Sequence, residues 1–251
     1  MTETLIAIPK TSLQKFLRPV NRLTESCVIK SNKDYIFTVC SSADNSVILY
    51  ARTNLPNSLE EDVKLNFINI KKFLTGLHCL GDNGVFKMIY NSNHLLCKSV
   101  NDANNDNTHF KYHLVDDDII RESTVNVDKI IKLNFDTSFE LSLEKIKQII
   151  TAYSFVSDVN KIYFYSKDDC VYAEIDDKTM PNIDNVSLMV SDNYQGQSIE
   201  PMSIKIEIFK LLATSKSAIK VKINNQFKVF VFNTQEDENT ELKYIISTLV
   251  K

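Results

Sequence analysis

Only four glycines interrupt the 251 residues of this chain, and tryptophan is absent. The glycine shortage excludes whole classes of chemistry. Neither GxGxxG nor GxxxxGK occurs, so the dinucleotide fingerprint and the P-loop, whose phosphate cradles are turned by glycine, are ruled out. Missing too is any run of about 18 to 20 apolar residues, the length a membrane-spanning helix needs. The opening MTETLIAIPK is too short and too weakly apolar for a signal peptide, so a cytoplasmic protein without a membrane partner is expected. The five cysteines, Cys27, Cys40, Cys79, Cys97 and Cys170, are odd in number, scattered, and set in apolar runs such as YIFTVC. They read as reduced core thiols, not as a disulfide framework or a CxxC metal site.

What is present is an ordinary globular composition, 43% hydrophobic and 24% charged, enough for one large domain or two of middling size. With glycine scarce, Asn and Asp must make the turns, because they tolerate left-handed backbone best after glycine. SNKD, ADNS, GDNG, NSN, SKDD and INNQ each separate two runs rich in Val, Ile, Phe and Tyr, the pattern of an antiparallel meander. Those runs are YIFTVC, SVILYAR, VKLNFI, VFKMIY, HLLCKS, HFKYHL, KLNFDTSFEL, KIYFYS, CVYAEI, NVSLMV, MSIKI, AIKVKI, FKVFVF and ELKYIIS.

Four stretches are spaced as helices instead. The first holds Leu13, Phe16, Leu17, Val20 and Leu23, with Thr11 and Gln14 placed as a capping box. The second holds Ile70, Phe73, Leu74 and Leu77 after Asn69; the third Leu143, Ile146, Ile149, Ile150 and Tyr153 after Ser142; the fourth Ile208, Phe209, Leu211 and Leu212. Pro19 lies inside the first. It has no N–H to donate to the Lys15 carbonyl, a loss of about 3 kcal/mol in a straight helix, so a kink or break is expected there.

The order of these elements repeats. FINIKKFLTGL before the hairpin GVFKMIYNSNHLLCKS matches SIKIEIFKLLATS before AIKVKINNQFKVFVF. The offset is roughly 130 to 136 residues, far longer than a solenoid period. Two similar domains are expected, 1–115 and 136–251, joined by a connector over 116–135; the stretch VDDDIIRESTVNVDKIIK between the halves, Val115 to Lys132, is charged and at first without clear periodicity. The fold class that follows is α+β, each domain carrying two helices on antiparallel sheets.

Charge is distributed unevenly over this plan. The four helical stretches together carry +7 in a chain of net charge −3, leaving −10 for everything else. On a helical wheel Lys15, Arg18 and Arg22 fall within about 60° of one another, opposite the apolar stripe. Cations on the solvent face of an amphipathic helix are in most proteins simply solvated. The coincidence of four positive helices in a negative molecule argues for a surface that receives a polyanion.

The duplication, the basic helices and the stretches FINIKKFLTGLHCLGDNGVFKMIY, SADNSVILYAR and ELKYIIS together resemble the DNA sliding clamps, the processivity factors of DNA polymerases. The similarity is closest to T4-type phage clamps and more distant to proliferating cell nuclear antigen. It covers nearly the whole chain but rests on pattern, since clamps have no diagnostic motif. The resemblance implies a DNA-clamp fold closed into a ring of six similar domains, hence a homotrimer of two-domain chains. Such a ring encircles duplex DNA without base-specific contact, tethers the polymerase, and is opened by an ATP-dependent clamp loader. It implies no reaction, no catalytic residue, no metal and no cofactor. By position on the inner helices it implies DNA-facing roles for Lys15, Arg18, Arg22, Lys71, Lys72, Lys145, Lys147, Lys210 and Lys216. The match at ELKYIIS implies a partner-peptide pocket using Ile245 and Ile246, with Thr248 and Val229, and a contribution from the connector between Val125 and Ile131. A proline-containing end after that strand, present in nuclear clamps, is missing here. A T4-type clamp would work in host bacterial cytoplasm.

Two other readings use the same residues. A monomeric viral processivity factor would bind DNA directly by charge, and a virion or scaffold protein would use the sheets alone. Metal chemistry is weak on the sequence. Asp116, Asp117 and Asp118 are adjacent and point in different directions, and His109 and His113 share a strand face without an HExxH context. The acidic run TQEDENTE reads as an outer loop.

Overall fold

A computed structural model describes residues 3–82, 84–101, 106–120, 122–180 and 183–249. The chain separates into two compact units. The first takes Met1–Ala43, Leu49–Val125 and Asp237–Glu241; the second takes Asp44–Ile48, Asn126–Glu236 and Leu242–Lys251.

The elements of the first unit are, in order, β1 (Thr4–Ile6), α1 (Lys10–Leu23), β2 (Cys27–Asn32), β3 (Tyr35–Ser41), β4 (Val47–Asn54), β5 (Lys64–Phe67), α2 (Ile70–Cys79), β6 (Val85–Asn91), β7 (His94–Asn101) and β8 (Asp106–His113). One sheet has the order β1-β6-β7-β8, and a second row runs β5-β2-β3-β4. The second unit opens with a short helix, α3 (Val127–Ile131). It continues β9 (Thr137–Leu141), α4 (Leu143–Phe155), β10 (Lys161–Lys167), β11 (Cys170–Ile175), β12 (Val186–Ser191), β13 (Gln195–Gly196), β14 (Met202–Lys205), α5 (Ile208–Leu212), β15 (Ile219–Asn224), β16 (Val229–Gln235) and β17 (Thr240–Ser247). Its strands fall in the orders β9-β15-β16-β17 and β14-β10-β11-β12. With α3 and β13 set aside, the two units have the same element sequence and the same two strand orders.

Alternation drives most strands: β3 and β4 bury every second residue, which puts Ile36, Thr38 and Cys40, and Val47, Leu49, Ala51 and Thr53, on one face. The tight turns use the expected residues. Asn45, Asp168 and Asp169 adopt positive φ, joined by Ser92 and Lys228, and the Asp44 carboxylate accepts the Ser46 N–H at 3.1 Å. Gly196 is needed for close approach, since a Cβ there would lie 1.9 Å from the Asp136 carbonyl oxygen where β13 meets β9.

Several expectations are corrected. Helix α1 runs unbroken through Pro19, so there is no break at that position. Burial on both sides of the proline, at Phe16, Leu17, Pro19 and Val20, holds the helix where its ladder loses a bond. It starts at Lys10 with Pro9 in the cap position and no side-chain cap, so Thr11 and Gln14 lie inside the helix and form no capping box. The fourth helix spans only Ile208–Leu212. The connector holds the helix α3, capped by Asn126, whose side chain accepts the Lys129 N–H at 3.1 Å. The run from Lys132 becomes strand only at Thr137. Strands β1, β2 and β13 lacked a period-2 signal: β1 has three residues, β13 two, and β2 opens with three consecutive buried ones. Cys27, Cys40 and Cys97 are buried, and burial pushes the Cys40 and Cys97 thiols up to about 12. Cys79 is exposed and Cys170 half-buried, so these two are not core thiols.

Each unit has an aromatic centre beneath its helices. In the first, Phe73 of α2 meets Phe67 (4.9 Å), Tyr112 (5.2 Å) and Phe110 (5.6 Å), all edge-on. In the second, Phe164 gathers Phe139, Phe209 and Phe230 at 5.6 to 6.3 Å. Edge-on and offset rings add to the area term that dominates such cores.

Candidate nucleic-acid interface

The four helices that carry the sequence-predicted cations are positioned by their apolar faces. α1 buries Ser12, Leu13, Phe16, Leu17, Pro19 and Val20, which leaves Arg18 and Arg22 exposed on the opposite side. α2 buries Ile70, Phe73, Leu74 and Leu77 and exposes Lys71 and Lys72. Its start is fixed twice. The Asn69 side chain accepts the Lys72 N–H at 2.7 Å, and the Tyr112 hydroxyl accepts the Asn69 N–H at 3.0 Å while donating to the Asn69 carbonyl at 3.1 Å.

Lys15 differs from its neighbours. Half-buried, it makes an ion pair of 3.1 Å with Asp237, in the acidic run read as an outer loop. Burial opposes charge on Asp237, but Lys15 and the backbone of Asn239 and Thr240 hold its carboxyl below the usual range. The cation is therefore already matched inside the first unit. Lys10, which the sequence did not single out, donates to the Gly81 carbonyl and to Asp82 at 2.7 Å.

In the second unit α4 starts from Ser142, whose hydroxyl accepts the Lys145 N–H at 3.2 Å. It buries Ile146, Ile149 and Ala152, exposes Lys147 and half-buries Lys145. On α5, Lys210 is exposed and sits over the Tyr153 ring at 5.4 Å. Lys216 is exposed in a bend beyond the helix end, not on the helix itself. Arg18, Lys71, Lys72, Lys145, Lys147, Lys210 and Lys216 thus reach solvent with no carboxylate ion pair described for them, and Arg22 is exposed as well, all on helix faces or helix ends turned away from their own core.

The residues assigned to a peptide pocket divide. Ile245 and Ile246 are 3% and 2% exposed, so their side chains belong to the core. Val229 and Thr248 are half-buried. The connector helix offers Ile131, 38% exposed, and the turn before Val229 offers Phe227 at 59%. That turn is pinned to the segment after α3: the Asn224 side chain donates to the Asn134 carbonyl at 2.7 Å, and the Asn225 side chain to Asp136 at 2.9 Å. Phe227 was missed by the sequence reading; the signal was an aromatic beside a polar turn, in INNQFK.

The acidic start of the connector has a structural task. Asp117 accepts the Asn66 side chain at 2.8 Å and pairs with Lys64 at 2.9 Å; Glu122 pairs with Lys64 at 2.8 Å and Lys30 at 2.5 Å. The Asn66 bond first, then Lys64, holds the Asp117 carboxyl below its ordinary range. Among the described residues no group of three or more His, Cys, Asp or Glu side chains is placed to hold a metal ion. No helix among them is long and apolar enough to cross a membrane.

The architecture is that of the sliding-clamp fold. Solved structures sharing it include PCNA from Thermococcus kodakaraensis (TM-score 0.76, 13% identity), which covers 99% of this chain and 100% of its own. PCNA of A. fulgidus, solved with the C-terminal region of FEN-1 bound, gives TM-score 0.74 and 12% identity, covering 100% and 99%. Proliferating cellular nuclear antigen from Entamoeba histolytica gives 0.75 and 12%, covering 99% and 98%. No family model matches the chain, and no curated protein sequence does.

Proposed function

We propose that this chain is the repeating subunit of a sliding clamp that encircles duplex DNA and tethers a replicative DNA polymerase. The observation that carries the reading is the end-to-end correspondence with PCNA structures, which accounts for both chains at 98% or more. The helix cations supply the physical sense. Arg18, Arg22, Lys71, Lys72, Lys145, Lys147, Lys210 and Lys216 would meet phosphates without reading bases, the contact that permits sliding. Lys15 joins them only by exchanging Asp237 for a phosphate.

The open edges support assembly as a homotrimer. Strand β8 ends one four-stranded sheet of the first unit and β12 ends one of the second, each with its outer side unpaired among the described residues. Pairing β8 of one copy with β12 of the next is a heterologous contact that closes into a ring. Partner peptides would use Val229, Thr248, Phe227 and the connector around Ile131. An ATP-dependent loader, a T4-type phage origin and action in host bacterial cytoplasm complete the proposal.

Light scattering tests it. A concentration-independent mass of three times the 28.8 kDa chain is expected, with weak binding to short linear duplexes. A 28.8 kDa monomer that binds linear duplex tightly, losing affinity steeply with salt, would replace the ring by the monomeric processivity factor. A particle of either mass indifferent to charge reversal of Arg18, Arg22, Lys71 and Lys72 would leave the virion or scaffold reading.

A further inference from the structure

The sheet β1-β6-β7-β8 turns one face to its helices and core, burying Ile6, Met88, Leu95, Cys97 and Tyr112. Its other face departs from the charge plan of the chain. Leu5, Ile89, Leu96 and Lys111 stand directly side by side across the four strands, and beside them runs a row of Lys87, Lys98 and His109. On the far side His94 stands opposite His113, their rings 6.1 Å apart. Leu5 is 54% exposed, and no ion pair is described for Lys87, Lys98 or Lys111. Glu3 acts on His94 against Lys111 and His113.

Like charges directly opposite one another in a sheet repel, so Lys87 against Lys98 works against folding. The related sheet of the second unit avoids this: there Lys220 stands between Glu140 and Asn233. A repulsive cation row beside an apolar row that is exposed at Leu5 and half-buried at Ile89 and Leu96, in a chain of net charge −3, is a surface matched to an external anion that also carries apolar side chains.

We infer that this outward face binds an extended protein segment in which acidic and apolar residues alternate, its carboxylates over Lys87 and Lys98 and its apolar side chains over Leu5, Ile89 and Leu96. A nucleic-acid backbone would neutralise the lysines but leave the apolar row facing phosphate. The site is separate from the helix cations and does not depend on ring closure.

The test uses the full chain and a fluorescent nine-residue peptide alternating Glu and Leu, followed by anisotropy. Saturable binding is expected, at least tenfold weaker in Lys98→Glu and in Lys87→Glu, and weaker in Leu5→Ser. Lys98→Glu should also raise the melting temperature, because it removes the Lys–Lys repulsion. Light scattering on the same samples reports the oligomer separately, so failure of the ring and failure of this site are distinguishable. The inference is overturned by absent binding, by variants that bind as wild type, or by an all-Glu peptide binding equally well. Displacement of the peptide by a short DNA duplex would assign the face to nucleic acid, and growth of the particle beyond its original mass would assign it to a second copy of the chain; either result also overturns it.

Discussion

In the first unit the second helix, α2, runs ten residues from a start fixed by Asn69 and Tyr112; in the second unit its counterpart α5 runs five and starts without a side-chain cap. Past α5 the chain tightens into a turn, the Ser215 N–H donating to the Leu212 carbonyl at 3.0 Å and the Thr214 hydroxyl to the Leu211 carbonyl at 3.0 Å. A five-residue helix is far below the length that stands by propensity. It persists because Ile208, Phe209 and Leu212 are at most 1% exposed. The same position in the fold is thus secured locally in one unit and by packing alone in the other.

The largest expected effect follows directly. Phe73→Ala and Phe209→Ala should each cost about 3–5 kcal/mol in urea unfolding, as large core truncations do. They should differ in what survives. Amide exchange is expected to keep residues 70–79 protected in the first variant and to lose protection over 208–212 in the second. An α5 that stays protected without Phe209 would break the comparison.

This contrast also explains what could be read beforehand. Antiparallel strands, two helices per repeat and the internal duplication were legible because alternation, the 3.6-residue spacing and the recurrence of helix before hairpin are local or periodic. Asn69 and Ser142 were legible as caps because a cap is a one-residue signal. The extent of α5 was not, since LLATSK continues the helical spacing while the helix itself stops at Leu212. Among the candidate site residues, exposure of Arg18 and Arg22 followed from the wheel. The Lys15–Asp237 pair spans 222 positions, and no spacing rule reaches that far. The burial of both Ile245 and Ile246 was not legible, because neighbours in a strand face opposite ways and both sides are covered here.

Next in size is Gly76→Ala on α2. Alanine gains up to about 1 kcal/mol in helix propensity over glycine. Its Cβ would lie 2.9 Å from the Phe110 ring, which is itself held against Phe73. Overpacking of about 1–3 kcal/mol should win, giving a net loss near 1 kcal/mol. A stabilised variant would mean that Phe110 is free to move, and that the first unit is less tightly packed than its ring distances indicate. Asn69→Ala should cost about 1 kcal/mol by removing the cap, whereas Glu207→Ala, at the uncapped start of α5, should change stability by a few tenths at most. Equal effects of the two would erase the local-versus-packing distinction.

The smallest effect separates the units by pH. Asp82, Asp117, Glu122 and Asp237, all in the first unit, are held below the ordinary carboxylate range chiefly by Lys10, Asn66, Lys30 and Lys15, with burial opposing at Asp237. The second unit has Asp177, lowered by Thr179 and Lys161. A carboxylate lowered in the folded state stabilises fully above its unfolded pKa, and that contribution disappears as pH falls through the folded value. His94, lowered by desolvation and then by Lys111 and His113, acts in the same direction: the folded state resists its protonation, so stability falls with pH below about 6.5. The first unit should therefore loosen first on acidification. Amide exchange between pH 6 and 3 should show residues 27–41 losing protection before 161–175, and the reverse order would show that these ion pairs do not set the acid stability of the first unit.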